Sequence, residues 1–377
     1  MSHLLTHKSL DRSAPAGVFA ILISMVMFVV APVAALGSDY QEPEVFSKCW
    51  ESPVSSNLAV APAADASAVY FLDDDNKLHG LDLATGTSVW SSEVGGVVIS
   101  NLLVVDDLIF LVTSAQSEAP GSSPKTIVRA LSRQTGITVW QTVTRSTGAL
   151  WLGGVAGNVV AAGSDGSMSA FTRVDGKVVW QIDLSSGVIS EPHFHESGIE
   201  LGTENREVVS ISGATGELRV AMKSEFPPTA VITDPSGRLI VGDERGNVMS
   251  VSPDGNKVWS FRNGAQISSA RLYASEYLIA SHDNFVYKLS RGGNVKWKRR
   301  LSGRAADKPL ILGHTAVVSV VGTGSIYALD LKNGKILNRI ETGDEVSLRL
   351  AGTADALGFV VAGPRGLLYF SGKCPAK

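Results

Sequence analysis

One hairpin, written seven times, constrains this chain more than any other feature. The stretch LDLATGTSVW at 81–90 ends one strand, turns at a glycine and begins another. Aligned on that glycine, the copies fall at Gly86, Gly136, Gly176, Gly216, Gly255, Gly293 and Gly334, with gaps of 50, 40, 40, 39, 38 and 41 residues. Four residues after the glycine stands Trp90, Trp140, Trp180, Trp259 or Trp297, with Val220 and Asn338 as the two departures. Trp50 lies forty residues before Trp90 and is in phase, whereas Trp151 is not. Shortly before each glycine comes a short side-chain oxygen: Asp82, Ser132, Thr172, Ser212, Ser252, Ser290 and Asp330. Such residues cap turns by accepting from following amides, and glycine supplies the positive φ that the turn needs. Ser371 continues the phase, but the chain ends before its turn can be completed.

A period near forty residues, with four short strands and polar turns in each unit, is the pattern of a propeller blade. No long helical period follows residue 37. The expected fold is therefore all-β: an eight-bladed propeller of four-stranded antiparallel blades, its innermost strands lining a central channel. The eighth hairpin lacks its last strand at the C-terminus, and EVFSKCWESP near the N-terminus carries Trp50 in phase. That strand is expected to complete the last blade and close the ring. A tryptophan repeated at one strand position reads as packing between neighbouring blades rather than as a binding site. Asn338 should then mark a weaker or more exposed contact. The extra residues of blade 2 match 114–126, rich in Ser, Pro and Gly, which reads as a surface loop between its second and third strands.

Lys8 and Arg12 precede an apolar run at 18–36, and small residues follow it. The pattern describes a secretory signal, and the run is also long enough for an uncleaved anchor. Two regions follow: 1–37 as signal peptide or N-terminal membrane anchor, and 38–377 as the propeller. The propeller is expected outside the cytoplasm, periplasmic or secreted, with membrane contact only through the N-terminal segment if that is retained. Cys49 and Cys374, the two cysteines, flank the ring closure and in an oxidising compartment are expected to pair. No cysteine stands between the apolar run and Cys49, so a lipid-bearing cysteine at the cleavage site is not expected. With 33 basic and 36 acidic residues the net charge is −3, and nothing global points to nucleic acid. A monomer is expected.

The repeat has the consensus Ala-x-Asp-x-x-Thr-Gly-x-x-x-Trp. It is met at Asp82, Thr85, Gly86 and Trp90, and again at Ala328, Asp330 and Gly334. It resembles the repeat of pyrroloquinoline-quinone-like propellers, and the resemblance covers about 44–377. Two families share that repeat. Quinoprotein dehydrogenases hold the quinone with calcium and have a disulfide between adjacent cysteines, which this chain lacks. The BamB-type outer-membrane assembly scaffolds are eight-bladed propellers of similar length and are normally lipoproteins. The resemblance implies a non-enzymatic extracytoplasmic scaffold that binds protein partners of the cell envelope, with no cofactor. The alternative is an enzyme or small-ligand binder of the quinoprotein type, using pyrroloquinoline quinone with calcium or another metal.

Few residues stand out as chemistry. In EPHFHE, His193 and His195 share one side of a strand, so they read either as a weak metal pair or as two solvated histidines at a turn. Asp73, Asp74 and Asp75 lack the spacing of a calcium loop. Lys296, Lys298 and Arg300 share a strand face opposite Trp297, and read as a partner surface or as charge that protects an outer edge. Trp151 is the aromatic expected at a functional surface if it is not simply buried. No nucleophile elbow, phosphate loop or paired-cysteine metal motif is present, and no catalytic residue is assigned.

Overall fold

The computed structural model describes residues 46–53, 59–115, 125–146, 148–343, 346–353 and 358–374. The leader expected at 1–37 and most of the loop expected at 114–126 lie outside these residues. Every regular element described is a β-strand. The strands form eight antiparallel sheets: blade 1 at 63–93, blade 2 at 97–144, blade 3 at 150–183, blade 4 at 193–223, blade 5 at 228–262, blade 6 at 267–300, blade 7 at 310–341 and blade 8 at 349–371. Seven are four-stranded. In blade 2 the innermost strand is split into Val97–Val98 and Leu103–Val105, both paired to Leu108–Ala115.

Blade 8 draws its outer strand from the other end of the chain. Ser47–Ser52 pairs antiparallel with Gly366–Ser371, with Glu51 opposite Leu368. Cys49 and Cys374 are joined, with Cα atoms 5.2 Å apart and 325 residues between them in sequence. Closing so long a loop contributes about 6 kcal/mol in the chain-entropy account.

The second strand of each blade reads as an apolar run rather than an alternation because both its faces are covered by neighbouring blades. In Asn158–Gly163 every residue but the first is buried. The core accordingly lies between sheets. Val160 and Ala162 of blade 3 pack with Ile199 and Leu201 of blade 4, for example.

In all seven complete hairpins the capping residue's carbonyl accepts from the turn glycine's N–H at 2.7–3.1 Å. The turns come in two lengths. Five place the glycine four residues after the cap, while Ser252–Gly255 and Ser290–Gly293 are one residue shorter. That difference accounts for the 39- and 41-residue gaps; the 38-residue gap separates two short turns and is short within the blade itself.

The tryptophans join each blade to the next. Indole N–H groups of Trp50, Trp90, Trp140, Trp180, Trp259 and Trp297 donate to the carbonyls of Leu83, Arg133, Arg173, Gly213, Arg291 and Leu331, at 2.7–3.1 Å. Each ring also lies flat against the next blade's turn glycine. A Cβ at Gly86, Gly136, Gly176, Gly216, Gly293 or Gly334 would come within 2.4–2.8 Å of it. The turn glycine is thus required twice, once for its positive φ and once for the ring that covers it.

The expectation for Asn338 needs correction. Its side chain is half-buried and forms a two-bond clasp, accepting from Phe46 N at 3.2 Å and donating to Phe46 O at 3.1 Å. The amide replaces the indole bond because the neighbour here is the start of the closing strand, whose backbone offers a donor and an acceptor together.

Candidate functional site

The innermost strands enclose a central channel with two connected chambers, of about 1100 Å3 and about 430 Å3. Four residues line both chambers and so form the wall between them: Glu191 of the blade 4 entry, Arg271 of blade 6, and Lys308 and Leu310 of blade 7. Lys308 Nζ pairs with Glu191 Oε1, linking blade 7 to blade 4, which lies three blades away around the ring. Arg349 Nη1 holds Asp307 Oδ1 at 2.7 Å. Arg271 donates through Nε to Pro309 O at 3.1 Å, and among the described residues no carboxylate lies within ion-pair distance of it. Burial lowers the Arg271 pKa against the opposing pull of the Glu191 charge. Burial raises that of Asp307, with the Arg349 charge opposing.

This charged ring was not singled out from the sequence, yet a signal for it exists. Glu191, Lys308 and Arg349 each stand fifteen positions after a turn glycine, and Arg271 stands sixteen after Gly255, which ends one of the short turns. Asn101 and Trp151 occupy the same phase in blades 2 and 3. Trp151, out of phase with the packing tryptophans, is therefore in phase with the channel. It is half-buried on the innermost strand Leu150–Val155 and lines the larger chamber.

His193 lies on the innermost strand of blade 4, His193–Phe194, and His195 follows in the turn. Their rings stack with centroids 5.8 Å apart. His195 Nε2 sits 2.8 Å from Glu200 Oε2, but neither atom completes a hydrogen bond. Burial pushes the His193 pKa down to about 4, although the Glu200 charge favours its protonated form. Among the described residues no group of three or more His, Cys, Asp or Glu is placed to hold a metal ion. The acidic run of blade 1 has a structural use: Asp73 accepts from Lys77 N at 2.8 Å and lies 2.7 Å from His79 Nε2.

The basic strand Val295–Arg300 is the outer edge of blade 6. Lys296, Lys298 and Arg300 are exposed on it, and Trp297 is buried. Lys296 pairs with Glu276 at 2.5 Å, and the Lys298 ammonium sits 5.4 Å from the centre of the Phe285 ring. Sequence reasoning did not separate this edge from its counterparts across the ring. The outer strands Ser88–Glu93, Thr138–Thr144 and Val178–Asp183 of blades 1 to 3 contain no lysine or arginine. Those of blades 4 to 7 each contain at least one. Along this arc, whose charged residues are Glu93 and Asp183, Val89, Val139, Val143 and Val178 are 63, 55, 60 and 48% exposed.

A family model described as outer membrane protein assembly factor BamB matches residues 47–151, 124–253 and 244–366. Outer membrane protein assembly factor BamB of Yersinia pestis is 24% identical over 282 residues, 67% of each chain. The crystal structure of BamB from Moraxella catarrhalis superposes with a TM-score of 0.67 at 14% identity, covering 86% of this chain and 99% of that one. The fold is shared more widely. Sqt1 of Saccharomyces cerevisiae gives 0.68 at 13% identity, over 87% of this chain and 99% of its own. The computationally designed Ika8 protein gives 0.69 at 15% identity, over 87% and 99%. Matched by its repeats from residue 47 to residue 366, the chain belongs to the family of the outer membrane protein assembly factor BamB.

Proposed function

We propose that this propeller is a non-enzymatic, extracytoplasmic scaffold that holds protein partners during outer-membrane protein assembly. The arc of outer strands in blades 1 to 3, free of lysine and arginine and uncharged in blade 2, carries the reading. Thr138–Thr144 pairs on one side only, with Lys125–Ser132, so its other edge offers backbone donors and acceptors. A sheet edge without charge or proline is a template for an added strand. Blades 4 to 7 carry the lysines and arginines that discourage such pairing. The occupant that fits is an extended segment of an envelope protein with apolar side chains opposite Val139 and Val143. Family membership supports the assembly setting.

Photo-crosslinking in the native envelope tests the reading. A photoreactive residue at Val139 or Val178 is expected to trap an envelope protein, and one at Lys298 is not. Val139→Lys with Val143→Lys should reduce capture at position 178 at least several-fold while leaving the melting temperature unchanged. Equal trapping at Lys298, or no trapping along the outer strands of blades 1 to 3, would overturn it.

A further inference from the structure

We propose that the central channel is a binding site for a small amphipathic monocarboxylate, with the Arg271 guanidinium taking the carboxylate and the apolar wall around Trp151 taking the body. This goes beyond the scaffold reading and does not depend on it. The charge balance is the first argument. Among the described residues three cations, Arg271, Lys308 and Arg349, and two carboxylates, Glu191 and Asp307, line the two chambers. Both carboxylates are committed, Glu191 to Lys308 and Asp307 to Arg349. Among these described groups the cation without a carboxylate partner is Arg271.

Arg271 is half-buried, and a guanidinium partly withdrawn from water beside an apolar wall, with no anion on it, marks a place for one. Arg271 is anchored through Nε to Pro309 O, which aims the rest of its fork. A planar fork matches a carboxylate, which it grips through two parallel hydrogen bonds. A second unmet group lies two residues away on the same strand. Ser269, which lines the smaller chamber, is 9% exposed, and its hydroxyl makes no hydrogen bond.

The walls define the rest of the ligand. Val98, Ile99, Leu150, Trp151 and Leu350 face the larger chamber, which the charged septum bounds. Its volume of about 1100 Å3 is slightly above the usual range of small-molecule pockets, so the ligand leaves room for water. An apolar body with one negative charge satisfies both surfaces. A dianion would exceed the single excess charge.

Titration calorimetry of the full chain with 3-phenylpropionate, 3-phenyl-1-propanol and inorganic phosphate tests the proposal. The carboxylate is expected to bind and the alcohol to bind at least about tenfold more weakly, since a charge-assisted hydrogen-bond pair is lost. Phosphate should not displace the carboxylate at equal concentration. Arg271→Met should weaken carboxylate binding at least about tenfold and leave the melting temperature within a few degrees of the wild type, because it removes a half-buried charge that has no ion-pair partner among the described residues. Should that variant not fold, Arg271→Lys retains the charge without the fork and should bind several-fold more weakly. Lys298→Ala, on the outer edge, should bind like the wild type. Binding of the alcohol as tight as that of the carboxylate, displacement by phosphate, no heat with the carboxylate, or undiminished binding by the folded Arg271 variant would each overturn the proposal.

Discussion

The seam between blades 3 and 4 and the seam between blades 4 and 5 are built from the same repeat and held by different means. At the first, Trp180 is 7% exposed, covers Gly216 and donates to Gly213 O at 3.0 Å. At the second, the position of the indole is taken by Val220, which is 46% exposed, and Gly255 has nothing within 4 Å of where a Cβ would lie. That seam rests on a small cluster of Val208, Val231, Leu239, Val241 and Val251, with Met222 and Met249 packed against it. A closed ring tolerates one such seam because each blade is also held from its other side. Equivalent positions in a repeat are therefore equivalent in geometry but not in energy.

The comparison breaks if the two seams respond alike to truncation. Trp180→Ala should cost about 3–5 kcal/mol, the usual loss for a buried large aromatic, whereas Val220→Ala should cost less than about 1 kcal/mol because its side chain is half in water. Urea unfolding midpoints of the two variants measure the gap.

The second seam should also be the acid-sensitive one, because His193 lies at its inner end beside blade 5 residues Thr229–Ile232. Its pKa of about 4 lies below the ordinary 6.5, so the unfolded chain takes up the proton first. The stability tied to neutral His193 is full above pH 6.5 and is lost as pH falls towards 4, by up to about 3 kcal/mol. His193→Gln, which does not titrate, should flatten the difference in unfolding midpoint between pH 7 and pH 4.5. An unchanged pH profile would remove His193 from this role.

Smaller effects sharpen the same contrast. Gly216→Ala and Gly255→Ala both force a side chain into positive φ, a strain of about 1–2 kcal/mol. In addition, Gly216→Ala meets the Trp180 ring, which should add about 1–3 kcal/mol of overpacking. Thermal melts of the pair should separate accordingly. Val220→Trp, which supplies the missing indole over Gly255, should stabilise by up to about 1 kcal/mol. A destabilised variant would mean that the shorter turn of blade 5 offers no acceptor within reach.

How much of this was legible in the sequence follows from what repeats. The eight blades, the closing strand and the pairing of Cys49 with Cys374 were legible because a turn glycine, its cap and a tryptophan recur in phase, and because the two ends hold complementary halves of one blade. The Asn338 clasp was not, since it binds the backbone of Phe46, 292 residues away in sequence, and local spacing carries no such information. The channel charges were missed for a different reason. The innermost strands are as short as two residues, and their side chains are chosen by the cavity rather than by neighbour packing. Only the register set by the turn glycines brings Glu191, Lys308 and Arg349 to one level. The contrast between outer strands with and without lysine or arginine was readable in the strand sequences, but it emerges only when all the outer strands are set side by side.

The strand that closes the ring also sets a waiting time. Ser47–Ser52 is the first strand of the propeller to be made, and its partner Gly366–Ser371 is the last. At about 5–20 residues per second of synthesis, the interval is on the order of 15–60 s. For that time a single strand with a free thiol at Cys49 stays unpaired. Lys48 and Glu51, joined at 2.9 Å in the finished ring, place both signs of charge on it. In the nascent chain those charges disfavour pairing with the wrong edge, so the last blade is assembled from a strand kept single until its partner exists.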